Sequence, residues 1–279
     1  MELDLDHLLD TAIHAARAGG AELNRLFRHA ELDVRFKRAN DLVTEADHAS
    51  EEKVLGILRD AFPDHRILAE ESGEGGGDGV VEWLVDPLDG TTNYAHGIPA
   101  WVVSIGARRG TELLVGVVYD PSRDDLFAAR RGGGATWNGK PMRVSSHEGL
   151  DGAFLATGYP FRHRSALDRY IAMLREVLLR ARGVRRFGAA ALDLAWTAAG
   201  LYDGFFELRL SPWDIAAGAL LIEEAGGVVS NLDGDADIFR FGNIIAGAPS
   251  VQSELRRVCH QEADENLIET LDPRPAPTA

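Results

Sequence analysis

Two aspartates three residues apart, Asp86 and Asp89, sit in WLVDPLDGTTN at residues 83 to 93, where an apolar run ends. Carboxylates this close repel each other unless a cation lies between them, and hard oxygen ligands suit Mg²⁺, which keeps waters and binds through few carboxylates. Pro87 removes a backbone donor just past Asp86, so regular strand pairing is expected to stop there. Gly90 permits a tight turn, and Thr91-Thr92-Asn93 can offer backbone N–H groups and hydroxyls to a phosphate at the start of a helical segment. Asp-Pro and Asp-Gly are also plain turn formers, so this stretch alone leaves both readings open.

Other acids bear on the choice. Glu70 and Glu71 follow the apolar run ILA, which reads as a short strand delivering them into a Gly-rich loop, where solvated acids are also at home. Asp214 lies in LSPWDIAAGALLIEEAGG, with Ser211 as a helix N-cap, Pro212 in the first turn and Gly226-Gly227 as the stop. As a first-turn acid it also suits the helix dipole. Thr44-Glu45-Ala46-Asp47 is a capping box with Asp in place of Glu or Gln, so Asp47 has the same two readings. Spacing alone does not separate capping from catalysis.

The elements that must position these acids come from hydrophobic periodicity. Residues 4 to 28 and 45 to 60 read as helices, the second ending before Phe62-Pro63. Short β-rich runs follow at 80 to 85, 101 to 107, 113 to 119 and 126 to 129, a sheet of hairpins. RRGGGATWNGK at 130 to 140 has hairpin-turn chemistry. The second half alternates strands near 153 to 157, 204 to 208 and 243 to 247 with helices near 165 to 181, 189 to 200, 213 to 225 and 249 to 262. An α/β or α+β fold with two sheets is expected. SGEGGGDG at 72 to 79 reads as a mobile loop and the Pro-rich end, 271 to 279, as a disordered tail.

The chain has 279 residues, enough for one large domain or two ordinary ones. Its net charge of −15 opposes nonspecific binding to nucleic acid or anionic lipid, and an anionic substrate would need local help such as bound cations. No stretch approaches the roughly 20 apolar residues of a membrane span, and the N-terminus lacks the pattern of a secretory signal. The single cysteine, Cys259, reads as a buried structural thiol in a reducing cytoplasm. Trp83 and Trp213 read as core anchors and His96 as a surface or packing histidine.

Together, DLVTEAD at 41 to 47, EES at 70 to 72, WLVDPLDGTTNYAHGIP at 83 to 99 and WDIAAGALLIEEAGG at 213 to 227 resemble the signature segments of the inositol monophosphatase family. The resemblance spans residues 37 to 247 and implies a layered α-β-α-β-α sandwich. The implied halves are residues 1–150, with most metal ligands, and 151–270, with Asp214 and substrate contacts. It implies a cytoplasmic, lithium-sensitive homodimer that hydrolyses myo-inositol 1-phosphate or a similar polyol or sugar phosphate, with two or three Mg²⁺ per site. Relatives cleave fructose 1,6-bisphosphate, histidinol phosphate, 3′-phosphoadenosine 5′-phosphate or NADP, and a non-catalytic binding protein on the same fold is the alternative of another class.

Carried over residue by residue, the resemblance implies one Mg²⁺ on Glu70, Asp86 and the Leu88 carbonyl, and a second on Asp86, Asp89 and Asp214. A third, weaker ion would lean on Glu70 and water. Glu70 and Thr91 would orient and deprotonate a metal-activated water, and Asp47 would accept the Thr91 proton. N–H groups of Gly90, Thr91 and Thr92 would hold phosphate, with Glu207, Asp214 and the GAAALD stretch at 188 to 193, which includes Ala189, contacting the substrate. Many relatives carry Thr or Ser where this chain has Ala189.

Overall fold

A computed structural model describes residues 3–28, 34–38, 41–160 and 167–262. The expected tail at 271–279 lies outside these described residues.

Helices α1 (Leu5–Leu26) and α2 (Glu45–Ala61) flank a short ribbon, β1 (Val34–Arg38) and β2 (Asp41–Thr44), paired antiparallel. Leu8, Ala12, Ala15, Ala16 and Leu23 recur at helical spacing, and all are buried. Asp4 caps α1 through an N–H of His7 at 3.0 Å. Then come β3 (Arg66–Ala69), β4 (Gly73–Gly76), β5 (Val81–Asp89), a short α3 (Thr91–Ala95), β6 (Val102–Arg109), β7 (Glu112–Asp120), β8 (Asp125–Arg130), β9 (Gly134–Trp137) and β10 (Lys140–Pro141). They form one eight-stranded sheet in the order β10-β9-β8-β7-β6-β5-β3-β4.

The second half supplies β11 (Phe154–Thr157), α4 (Leu167–Leu178), β12 (Gly183–Arg185), α5 (Ala190–Ala198), β13 (Gly204–Glu207), α6 (Pro212–Glu224), β14 (Val228–Ser230), β15 (Ile244–Gly247) and α7 (Pro249–Glu262). Its five strands run β12-β11-β13-β15-β14. Three cores bind the layers. One lies between α1, α2 and the large sheet, a second joins both sheets through α5 and α6, and a third lies under α4 and α7. The layered α-β-α-β-α sandwich is therefore the fold.

Helix α6 lies unusually close to the large sheet. A Cβ at Gly116 would fall 2.8 Å from the Ala217 carbonyl oxygen, and one at Gly106 would fall 2.8 Å from the Ala216 Cβ. Glycine on β6 and β7 is what lets the helix approach. The Ser104 hydroxyl on β6 then donates to the Trp213 carbonyl at 3.1 Å. Ser104 also pairs in register with Asp86 on β5, so sheet register brings the start of α6 to the end of β5.

The structure corrects four expectations. SGEGGGDG is not simply a loop, because Gly73–Gly76 pairs antiparallel with β3 through backbone hydrogen bonds. Strand β5 continues past Pro87 to Asp89, with a register shift between Asp86 and Asp89 where the proline cannot donate. The β1–β2 ribbon is a third sheet beyond the two expected. Trp83 is a fully buried anchor whose indole N–H reaches His65 Nδ1 at 3.1 Å, whereas Trp213 is only half-buried at the helix start. Cys259 is buried, and burial raises its thiol pKa far beyond the usual range, as suits a structural thiol.

Candidate active site

A cleft of about 810 Å³ opens where β3, β5, α3, α5, β13 and α6 end or begin. Glu70 follows β3, its N–H bonded to the Val85 carbonyl at 3.0 Å, so the parallel β3–β5 pair sets it beside the end of β5. Asp86, Leu88 and Asp89 come from the irregular end of β5, and Asp214 from the first turn of α6. All five line the cleft with Gly90, Thr91, Thr92, Ala189 and Glu207. Asp47 stands behind them, reached through Thr91.

The choice between capping and catalysis is not exclusive. One oxygen of Asp47, Oδ2, accepts from the Thr44 N–H at 2.8 Å and its hydroxyl at 2.7 Å, closing the capping box of α2. The other, Oδ1, accepts from the Thr91 hydroxyl at 3.1 Å, which also lies 3.1 Å from the Leu88 carbonyl. Asp214 behaves alike: its Oδ2 accepts the Ser211 N–H at 2.7 Å as a cap. Capping holds one oxygen of each carboxylate, while the second oxygen of Asp47 takes the Thr91 hydroxyl and Asp214 lines the cleft.

Gly90 is required where it stands. Its φ is +97°, and a Cβ there would fall 2.8 Å from the Ala100 carbonyl oxygen. Asn93, on α3, donates to the carbonyls of Ala100 at 2.7 Å and Phe187 at 2.8 Å, clamping the Gly90 turn to the loop entering α5. His96 is exposed, with Nδ1 2.8 Å from the Thr92 carbonyl, and does not line the cleft.

Asp89 is held from the opposite side. Its Oδ2 accepts the Ala191 N–H at 2.7 Å, and the Ala190 and Leu192 N–H groups also favour its charged form. Burial outweighs them and pushes its pKa up to about 7, with Glu70 adding repulsion. Burial, then Glu70, Asp89 and Asp214, holds Asp86 well above the ordinary carboxylate range. Burial, then Asp193 and Asp214, does the same for Glu207, whose carboxylate lies so close to Gly158 that any side chain there would collide with it.

This donor set fits a hard cation. It is all oxygen, largely desolvated and mutually repulsive, so a cation bound among these groups relieves a cost that the fold imposes. Among the described residues no three His, Cys, Asp or Glu side chains close into a ready-made ligand cluster. Mg²⁺ retains waters that fill its remaining positions, so the cleft acids would close on an ion as it binds rather than beforehand.

Residues 4–273 match the model of the inositol monophosphatase family. The chain belongs to that family. It is 46% identical over 246 residues to the Nus factor SuhB of Pseudomonas aeruginosa, covering 86% of this chain and 91% of that one. It is 44% identical to the Nus factor SuhB of Escherichia coli, covering 93% and 98%. Among solved structures, the extragenic suppressor protein suhB of Bartonella henselae superposes with a TM-score of 0.87 at 42% identity, over 91% of this chain and 98% of that one. The inositol monophosphatase of Anabaena superposes at 0.83 and 42%, over 93% and 97%.

For this family member, the sequence singled out neither Arg186 nor Arg209 among the charged cleft residues, and reached Asp193 only as the end of the stretch at 188 to 193. Asp193, Arg186 and Arg209 line the wall with the expected acids. Asp193 interrupts the otherwise apolar helix AALDLAWTA, a signal that was visible in the sequence. Arg209 adopts a left-handed φ of +68°, held by its N–H to Asn243 Oδ1 at 3.2 Å from a loop distant in sequence. No local pattern announces that contact.

Proposed function

We propose that this chain is a Mg²⁺-dependent phosphomonoesterase acting on myo-inositol 1-phosphate or a similar polyol or sugar monophosphate. The observation that carries the proposal is convergence: Glu70, Asp86, Leu88, Asp89 and Asp214, from three separate segments, line one cleft beside Gly90-Thr91-Thr92. Glu70, Asp86 and the Leu88 carbonyl would hold one ion, and Asp86, Asp89 and Asp214 a second. Bound there, Mg²⁺ would acidify a water and neutralise developing charge on phosphoryl oxygens.

The chain's own residues would do the rest. N–H groups of Gly90, Thr91 and Thr92 would bind phosphate oxygens, with the left-handed Gly90 turning them inward. Thr91 and Glu70 would orient the attacking water, and Thr91 would pass its hydroxyl proton to Asp47 Oδ1, 3.1 Å away. Asp47 can receive it without moving, because the capping box pins Oδ2. Glu207 and Asp214 would accept hydroxyls of the leaving group, with Ala189 shaping the wall between. Residues 1–150 would thus supply most ligands and 151–270 Asp214 and the leaving-group side. A cytoplasmic setting, lithium sensitivity and a homodimer belong to the same reading; no helix among the described residues is long and apolar enough to cross a membrane.

Thr91→Ala should lower kcat by about a hundredfold with little change in KM, and Thr91→Ser should recover most of the loss. Steady-state phosphate release over a panel of polyol, sugar and nucleotide phosphates measures both this and the substrate preference. Equal rates for Thr91→Ala and wild type would remove the hydroxyl from the mechanism.

The name Nus factor, carried by close relatives, favours a second reading in which the fold also serves a regulatory or binding role of that kind. A variant without phosphatase activity that still complements loss of the protein in cells would support it.

A further inference from the structure

We propose that the cleft takes phosphate esters whose leaving alcohol carries an aliphatic chain, seated past Glu207 on a wall of Tyr159, Leu167 and Ile171; this rests on the phosphatase reading above. All three side chains line the same cleft as Gly90-Thr91-Thr92. They are 45%, 43% and 50% exposed, whereas most large apolar side chains of the described residues are buried. Apolar surface gathered in a hollow, rather than scattered singly, marks a place that something apolar covers.

The wall continues the leaving-group side. Glu207 lies against Gly158, and Tyr159 comes next in the chain. The Tyr159 ring meets the Tyr170 ring edge-on, with centroids 5.9 Å apart. Leu167 and Ile171 stand one turn apart on α4, to either side of Tyr170 in sequence. A leaving group that extends past Glu207 therefore runs onto Tyr159 and then α4. At about 810 Å³ the cleft lies toward the upper end of the range for small-molecule sites and has room for such an extension.

The chemistry of this wall suits methylenes and not hydroxyls. Leu167 and Ile171 carry no side-chain donor or acceptor. The Tyr170 hydroxyl is turned inward, 2.6 Å from the Thr157 hydroxyl, which itself donates to the Phe206 carbonyl at 2.6 Å. Thr157 has one proton to give, so Tyr170 is the donor of the pair. That relay ties α4 to β11 and β13 and holds the wall in place before any ligand arrives. A polyol hydroxyl set against Leu167 and Ile171 would lose water without gaining a partner, whereas a chain loses nothing. The net charge of −15 opposes an anionic bilayer, which favours a soluble ester over a lipid held in a membrane.

The test compares glycerol 3-phosphate with its 1-O-ethyl, 1-O-butyl and 1-O-hexyl ethers in the presence of Mg²⁺. These share one polyol head and differ in the chain. From glycerol 3-phosphate to the hexyl ether, kcat/KM should rise at least about tenfold, because each fully buried methylene is worth up to about fourfold. Combining Leu167→Ser with Ile171→Ser should cut the rise to about twofold or less. Both side chains are half-exposed, so the double variant should fold. A wild type without the rise, or a double variant that keeps it, overturns the proposal. Light scattering that shows wild type associating through this wall and the double variant not doing so would make it a protein contact, and overturns the proposal as well.

Binding without turnover separates this from the phosphatase reading. Calorimetric titration with methylphosphonate and hexylphosphonate, neither of which can be hydrolysed as an ester, should show the hexyl compound bound at least about tenfold tighter by wild type. In the double variant the two should differ by about twofold or less. If wild type hydrolyses none of the esters, the phosphatase reading fails, and the titration still decides. Hexylphosphonate bound no tighter than methylphosphonate, or not bound at all, would refute the wall.

Discussion

Asp89→Asn should lower kcat on myo-inositol 1-phosphate by about a thousandfold or more, because it removes charge from the acid proposed to complete the second metal site. The fold should survive. Asparagine has the same shape, and its amide oxygen can still accept the Ala191 N–H that Oδ2 takes at 2.7 Å. Loss of charge also removes repulsion on Asp86, so the metal-free variant should be no less stable than wild type at pH 8. Phosphate release and Mg²⁺ calorimetry check the two halves. Activity within tenfold of wild type, with Mg²⁺ binding unchanged, would mean that Asp89 is a structural acid alone.

The second large effect is on stability, and its sign follows from linkage. The fold raises Asp89 from 3.8 to about 7, so between these values the folded state holds a proton that the unfolded state has released. Stability of the metal-free protein is therefore highest below about pH 4 with respect to this group and falls as pH rises through 7. A rise of about three pH units, at about 1.4 kcal/mol each, is on the order of 4 kcal/mol. Asp86 is shifted in the same direction, first by burial and then by its three acidic neighbours.

A bound cation reverses that cost only where the acids are ionised. Saturating Mg²⁺ should then raise the melting temperature by roughly 5 °C or more at pH 8 and by much less at pH 5. His65 runs the other way: burial lowers its pKa, so its contribution is lost as pH falls below its unfolded value. Because His65 lies outside the cleft, its effect cancels in the difference with and without Mg²⁺. Calorimetric scans at both pH values measure that difference. An equal Mg²⁺ shift at the two pH values would contradict the electrostatic picture of the site.

Local rules made much of this molecule legible. The helix from Pro249 to Glu262 has the expected bounds, and Thr44, Ser211 and the acids three residues after them marked two helix starts. What those rules could not supply was company. Nothing near Ala191 in the sequence indicates that its N–H holds Asp89, 102 residues away. Nothing near Ser104 indicates that it joins the start of α6 to the strand end that carries Asp86. Periodicity also failed where backbone alone does the pairing, as at Gly73–Gly76, which has no apolar alternation to read. The resemblance to a family brought the five cleft acids and Thr91 together in advance, whereas Arg186 and Arg209 required the fold.

The two oxygens of Asp47 illustrate why sequence left its role open. A capping box uses one carboxylate oxygen, and the same pattern appears whether or not the other has work to do. Only the 3.1 Å approach of the Thr91 hydroxyl to Asp47 Oδ1 distinguishes the two.

The most direct measurement is inorganic phosphate released from myo-inositol 1-phosphate by the purified wild-type chain, with Mg²⁺ and with a chelator. The expected result is turnover with Mg²⁺ that falls to background with the chelator and returns when Mg²⁺ is restored. No release from this or any polyol phosphate with Mg²⁺ present, from protein that melts cooperatively, would contradict the proposed function.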